Sequence, residues 1–513
     1  MDLYNAAEWL LDRNIADGRG DAVAIRCQGR STTYSEVLAD VWRVQGLLAE
    51  LGIPSGHRIL LVLNDDPTFA CWFLGCIRSG VIPVPLSTMS TAKDLAVIAA
   101  DAEPDLLVIS AEYADRIDPI AAASPSLRQV VVAGTVDGDF TIETLAWSDV
   151  PLASEIPVAA TTGDAAAFWL YSSGTTGLPK GVIHRHENLQ ATFDTYASQV
   201  LRIGPNDRCL SVAKLFFAYG LGNSLTFPFG AGATALLEPR RPTPQTVLEH
   251  VRLEQPTLFF ASPGFVAALL DTDAADDAFA SVRATVTAGE ALPAALQRRF
   301  SERFGHPVLD GIGSTEALHI FLSNTLDSQR PGTSGRAVPG YNARLCDDGG
   351  ADVVDPDVPG YLHVRGPSIA SGYWRRDDAT AAAFRDGWLR TGDVYTRSAD
   401  DHWTFLGRNS DMIKAGGIWV SPAEVESVLV SHPDILEAAV VGSRNAAGLE
   451  ETVAFVVARS GHDVDSDAVD SYCRNQMASF KRPRRLVVVD NLPKTATGKI
   501  QRFALRAQLE SDH

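Results

Sequence analysis

From residue 1 to about residue 330, short apolar runs alternate with amphipathic stretches, and this alternation restricts the fold more than any other feature of the chain. The runs at 58–63, 81–86, 105–110, 209–213, 234–238, 257–261 and 284–287 read as strands. Between them, 68–79, 92–101 and 244–254 carry helical periodicity. Repeated strand–helix units predict parallel-rich sheets with flanking helices, hence an α/β fold. From about residue 335 the texture changes to short strands punctuated by Asp347-Asp-Gly-Gly350 and Val358-Pro-Gly360, which predicts a small β-rich subdomain over 335–408. After Arg408, helices at 421–430 and 469–477 flank strands at 437–441 and 453–458, an α+β pattern of about a hundred residues. At 513 residues the chain exceeds one compact core, so two domains are expected, 1–408 and 409–513.

The segment Tyr171-Ser-Ser-Gly-Thr-Thr-Gly-Leu-Pro-Lys-Gly181 follows an apolar run at 165–171 that reads as a buried strand of this α/β fold. Glycines at 174, 177 and 181 let the backbone approach a ligand closely. Ser172, Ser173, Thr175 and Thr176 add hydroxyl donors, and Lys180 adds a positive charge. An ordinary turn needs one or two such residues. The run therefore points to a loop that cradles the phosphates of a nucleoside triphosphate.

Commoner phosphate motifs do not fit. Pro179 stands where a P-loop needs its second glycine, and Gly498-Lys499 is followed by Ile500 instead of a hydroxyl residue. Gly311-Ile-Gly313 leads to Glu316 and not to a dinucleotide fingerprint, and a Gly-x-Ser-x-Gly elbow is missing. Forty-four basic against sixty-three acidic residues give a net charge of −19, which argues against nucleic-acid and anionic-membrane partners. Six cysteines without metal spacing, no apparent signal peptide and no run long enough to span a bilayer predict a reduced, cytoplasmic setting.

With its downstream motifs, the chain resembles the adenylate-forming superfamily of acyl-CoA synthetases, luciferases and peptide-synthetase adenylation domains. Those motifs are Asp310-Gly-Ile-Gly-Ser-Thr-Glu316, Thr391-Gly-Asp393, Gly407-Arg408 and Pro493-Lys-Thr-Ala-Thr-Gly-Lys499, in the family's order. The resemblance covers nearly the whole chain. It implies a large N-terminal domain binding acid and ATP, and a small mobile C-terminal domain carrying the catalytic lysine. Adenylation joins two anions, so charge must be neutralised and the reactants held in line. The resemblance assigns the β- and γ-phosphates to Ser172, Ser173, Gly174, Thr175, Thr176, Gly177 and Lys180. Thr315 and Glu316 fall near the α-phosphate, with Glu316 holding Mg²⁺. Gly289, Glu290, Ala291, Asp310, Gly311 and Ile312 flank adenine and ribose, Asp393 takes the ribose hydroxyls, and Arg408 assists. Lys499 reaches the acid's carboxylate and the α-phosphate as charge redistributes.

Lys214-Leu-Phe-Phe-Ala-Tyr-Gly-Leu-Gly-Asn223 supplies three aromatics beside small residues, enough for an apolar slot around a planar ring. Amino-acid-activating relatives place an aspartate in this region; none occurs here, which disfavours an amine-bearing substrate. This stretch and 310–324 together resemble benzoate–CoA ligases, which implies an acid pocket of Lys214, Phe217, Ala218, Tyr219, Gly220, Ser314, His319 and Ile320. Tyr219 and His319 could also hydrogen-bond a ring hydroxyl or amino group, so benzoate or a substituted benzoate is expected. The thiol acceptor is CoA, with a phosphopantetheinyl carrier protein as the alternative, in a monomer or homodimer. Lys414, Gly416 and Gly417 would line the pantetheine channel. Relatives carry an acidic or lysine hinge two residues after the arginine; Ser410 stands there, which predicts a shifted balance between the half-reactions.

Overall fold

The computed structural model describes residues 2–135, 138–173, 179–415, 418–444, 450–494 and 500–511. Its centre is a nine-stranded sheet. Six neighbouring strands are parallel: Val308–Gly313, Ala284–Thr287, Leu258–Ala261, Arg208–Ser211, Thr234–Leu237 and Val23–Cys27. Antiparallel strands close both edges. A second, five-stranded sheet is wholly parallel and contains Ile82–Pro85, Arg58–Val62 and Leu106–Ser110. The strands of both sheets read as continuous apolar runs because helices cover their faces. Helix starts are specified locally: Asp66 accepts from the Thr68 N–H ahead of Pro67–Arg78, and Thr243 caps Pro244–Glu254.

The strand before the glycine-rich segment is antiparallel. Ala166–Ser173 forms an antiparallel hairpin with Pro179–Arg185, extended by Gly372–Tyr373. Tyr171 pairs with Gly181 and Ser172 with Lys180. A parallel partner needs a crossover of about a dozen residues, and the connection from Ser173 to Pro179 is too short for one. The apolar run is nonetheless buried, with Phe168, Trp169 and Leu170 in the core.

From 342 to 408 the chain forms a six-stranded antiparallel sheet, where the turn-rich texture placed one. Beyond it, Ile435–Arg444, Glu450–Ala458 and Arg485–Val488 form a further sheet with helices Pro422–Val430, Ser466–Gln476 and Arg502–Ser511. Of six hydrophobic clusters, two, around Val440 and Phe455, have buried members only from 413 onward, and the other four have all their buried members before 404. Leu436 reaches back to pack on the cluster around Phe259 and Phe300. Among the described residues, no helix is long and apolar enough to cross a membrane.

Candidate active site

Strand Val308–Gly313 delivers the chain to a tight turn that carries much of the predicted chemistry. The Ser314 hydroxyl accepts from the Ala317 N–H at 3.2 Å and closes the turn Thr315–Ala317. Leu318 follows with φ +66° and ψ −42°, a conformation costly for a branched side chain and tolerated where neighbours enforce it. The enforcement is visible. His184 Nε2 lies 2.8 Å from the Thr315 carbonyl, the Ala370 N–H donates to the Glu316 carbonyl at 2.8 Å, and the Ser368 hydroxyl donates to the Ala317 carbonyl. Glu316 stays partly exposed, its Oε1 accepting from the Tyr373 hydroxyl at 2.9 Å. Lys180, at the end of the glycine-rich segment, has its Nζ 5.1 Å from the centroid of the same Tyr373 ring. The hairpin and the turn are thus stitched together by His184 and Tyr373, neither of which sequence reasoning singled out. Gly174, Thr175, Thr176 and Gly177 lie outside the described residues, as does the side chain of Ser173.

The adenine and ribose candidates group around the same strand. Asp310 is buried and accepts from the Thr287 hydroxyl at 3.0 Å; burial pushes its carboxyl well up from the usual range. Gly311 and Ile312 continue the strand, and Gly289 takes φ +98° ahead of Glu290 and Ala291. Asp393 and Arg408 face each other across two strands, with Arg408 Nε 3.0 Å from Asp393 Oδ1. Buried Tyr395 relates the two groups: burial, then Asp393, with Asp310 adding, holds its phenol protonated. Glu290 has a second relation that the motif did not suggest. Its Oε1 accepts the Ile500 N–H at 3.2 Å, so the chain next to Lys499 sits on the candidate adenine segment. Lys499 itself, Gly416, Gly417 and the side chain of Lys414 lie outside the described residues. Ser410 sits between anchors, with the Asn409 N–H donating to the Gly392 carbonyl at 3.0 Å and Asp411 paired with Arg506.

The acid-pocket candidates converge around His319, whose ring lies 4.5 Å from Phe227, 5.3 Å from Tyr196 and 5.5 Å from Tyr219. His319 Nε2 is 3.2 Å from Asn223 Oδ1, and the Tyr219 hydroxyl donates to the Val286 carbonyl at 3.0 Å. The Tyr219 hydroxyl and His319 Nε2 therefore have protein partners, whereas His319 Nδ1 and Asn223 Nδ2 are buried without a hydrogen-bond partner. Ile320 is buried beside them. Of the two adjacent phenylalanines, Phe216 is core while Phe217 stays partly exposed, next to Ala218 at the start of helix Ala218–Leu221. The Lys214 ammonium is taken up by the carbonyls of Glu238 and Arg240. What Lys214 contributes to the pocket is its own carbonyl, which accepts from the Phe217 N–H and lies against Gly220.

Two buried imidazoles, His184 and His319, bear on this region, and a third, His186, accepts from the Ala6 N–H. Burial pushes His184 and His186 down to about 4 and His319 to about 3, so all are neutral at pH 7. A folded pKa below the unfolded value near 6.5 gives stability that is complete above pH 6.5 and lost as pH falls toward 4. For His184 that loss is about 2 kcal/mol between pH 7.5 and pH 5. Asp65, pushed up to about 6 by burial, acts in the opposite direction, so the total slope is a difference. The expected result is that His184→Gln flattens the decline of the urea midpoint between pH 7.5 and pH 5. Identical slopes in the two proteins would contradict the assignment.

As for a metal, Glu316 offers one partly exposed carboxylate, and no group of three or more potential ligands occurs among the described residues. That donor set fits Mg²⁺, which is held by one or two carboxylates with substrate phosphates and water completing the shell.

The AMP-binding enzyme family matches residues 12–374, and the AMP-binding enzyme C-terminal domain matches residues 424–499. The benzoate–CoA ligase of Thauera aromatica is 42% identical over 509 residues, covering 98% of this chain and 96% of that protein. The 4-hydroxybenzoate–CoA/benzoate–CoA ligase of Rhodopseudomonas palustris is also 42% identical, over 515 residues, covering 98% and 94%. The crystal structure of a benzoate CoA ligase from Burkholderia xenovorans superimposes with a TM-score of 0.91 at 38% identity, covering 98% of this chain and 100% of that one. The chain therefore belongs to the AMP-binding, adenylate-forming enzyme family and is similar to its benzoate–CoA ligases over nearly its whole length.

Proposed function

We propose that the chain activates an aromatic carboxylic acid, benzoate or a substituted benzoate, with ATP and passes the acyl group to CoA. The first half-reaction forms the aroyl-adenylate and pyrophosphate; the second gives aroyl-CoA and AMP. One observation carries this reading. Within six residues, the turn presents Thr315 and Glu316 next to the glycine-rich hairpin and carries His319 into a cluster of aromatic rings, with Ile320 buried after it. A ring lodged against that cluster would hold its carboxylate toward the phosphate side of the turn, the alignment that in-line attack on the α-phosphorus requires.

In this scheme Ser172, Thr175, Thr176 and Lys180 bind the β- and γ-phosphates, and Asp393 with Arg408 orients the ribose. Glu316 holds Mg²⁺, which when bound neutralises phosphate charge. Neutral His319 offers the carboxylate no counter-charge, so that task falls to Lys499, on the C-terminal segment that Glu290 receives. The second half-reaction calls for the C-terminal domain, 409–513, to turn about Ser410 and bring Lys414, Gly416 and Gly417 to a pantetheine channel. The use of ATP and CoA, with six free and buried cysteines, fits a cytoplasmic enzyme.

The test is mass spectrometry of products from the purified protein with Mg·ATP, CoA and a pooled panel of benzoates, cyclohexane carboxylates and fatty acids. Aroyl-CoA is the expected product, with benzoate and its hydroxy or amino derivatives preferred. Accumulation of aroyl-AMP without thioester would replace CoA by a carrier protein, and fatty acyl-CoA would overturn the aryl assignment.

A further inference from the structure

Tyr373 stands at the junction of three pieces of the site. Its hydroxyl donates to Glu316 Oε1 at 2.9 Å, and one face of its ring receives the Lys180 ammonium at 5.1 Å from the centroid. Glu316 and Lys180 carry opposite charges, yet they form no ion pair with each other among the described residues; each instead contacts the same tyrosine. The ring is itself firmly held. Tyr373 pairs with Val182 in the hairpin sheet, its N–H donates to the Thr380 hydroxyl at 3.0 Å, and Phe384 packs edge-on at 5.4 Å. Trp374 continues the anchorage, its N–H donating to the Gly181 carbonyl at 2.8 Å and its indole N–H to the Asp101 carbonyl at 3.0 Å.

We propose that Tyr373 is a positioning residue that keeps Glu316 and Lys180 apart, so that each is free to meet the metal–nucleotide. The inference rests on the reading of this site given above. A lysine and a glutamate close enough to share one ring would otherwise neutralise each other directly. Both would then have to be separated before a phosphate or a cation could use them. Tyr373 prevents this in two ways. The hydroxyl occupies one carboxylate oxygen and fixes the orientation of Glu316, leaving the other oxygen for a ligand. The ring holds the ammonium by its negative face, an interaction weak enough to yield to a phosphate. The sites of phosphate and metal capture are thereby pre-arranged by a residue that belongs to neither.

The two functions separate by substitution. Tyr373→Phe keeps the ring and loses the hydroxyl; Tyr373→Leu loses both. Calorimetric titration of ATP into wild type and both variants, with Mg²⁺ and with EDTA, reads the effect without catalysis. Tyr373→Phe is expected to weaken Mg·ATP binding about tenfold, the scale of one charge-assisted hydrogen bond, and to leave metal-free ATP binding and the KM for benzoate unchanged. Tyr373→Leu is expected to weaken metal-free ATP binding as well, because Lys180 is then free to pair with Glu316. A Tyr373→Phe protein that matches wild type in Mg²⁺, or that loses metal-free binding equally, would overturn the inference. Wild-type protein that binds no ATP at all would instead remove the underlying functional reading.

Discussion

Gly220→Ala is expected to reduce kcat/KM for benzoate by about a hundredfold while leaving Mg·ATP binding intact. A Cβ at Gly220 would lie 2.0 Å from the Lys214 carbonyl oxygen and 2.4 Å from that of Ala213. These are backbone atoms, so no side-chain rotation can relieve the clash. The 213–217 segment would have to move, and it is pinned on its other side, where the Leu215 N–H donates to both carboxylate oxygens of buried Asp65 at 3.2 Å. Displacing it carries Phe217, Ala218 and Tyr219 away from His319, and a shift of about 1 Å in a bound acid is enough for a loss of this size. The nucleotide groups are supported by other elements, His184, Tyr373 and the Asp393–Arg408 pair, and are expected to be spared. Steady-state kinetics with benzoate and calorimetry with Mg·ATP check both halves. Near-wild-type kcat/KM would show that the 213–220 segment does not shape the acid pocket.

Lys499→Ala is expected to slow formation of the aroyl-adenylate by about 10²–10³-fold, the scale for removing one group that stabilises developing charge. Conversion of supplied benzoyl-AMP and CoA to benzoyl-CoA should change by only a few fold, because in the proposed scheme that step uses the other face of the C-terminal domain. The described residues on either side of the motif are held in place. Lys494 and Ile500 pair across an isolated bridge, the Gln501 N–H donates to the Pro493 carbonyl at 2.8 Å, and the Ile500 N–H rests on Glu290. The neighbouring lysine is an internal control. The Lys494 ammonium is engaged with Glu437 at 2.7 Å, so Lys494→Ala should affect adenylation far less. Benzoate-dependent pyrophosphate exchange measures the first step and thioester formation the second. Equal loss in both steps, or a larger effect at Lys494, would contradict the role given to Lys499.

Much of the candidate site could be proposed from the chain because its residues lie on short contiguous segments. A loop such as 171–181 declares itself through glycine spacing and hydroxyl density, and the turn at 314–320 places polar and apolar residues within a few positions. The α/β class was equally legible, since strands covered on both faces leave unbroken apolar runs such as 58–62 and 258–261. The pairing of strand 166–173 was less so. Hydrophobicity reports burial and not the direction of the neighbour, and here the shortness of the connection imposed an antiparallel partner.

What the chain by itself determined, then, is the class of fold and the inventory of charges and hydroxyls proposed to meet ATP and an aryl acid, because both are written in local spacing. What only the tertiary structure decided is how those groups are held. His184 meets the Thr315 carbonyl across 131 residues, Asp65 meets Leu215 across 150, and Tyr373 meets Glu316 across 57. The structure also showed that the Tyr219 hydroxyl and His319 Nε2 have protein partners, and that Glu290 receives the C-terminal segment. The physical reason is the same in each case. A buried polar group must find a partner somewhere in the folded chain, and which partner it finds depends on the three-dimensional packing of elements far apart in sequence.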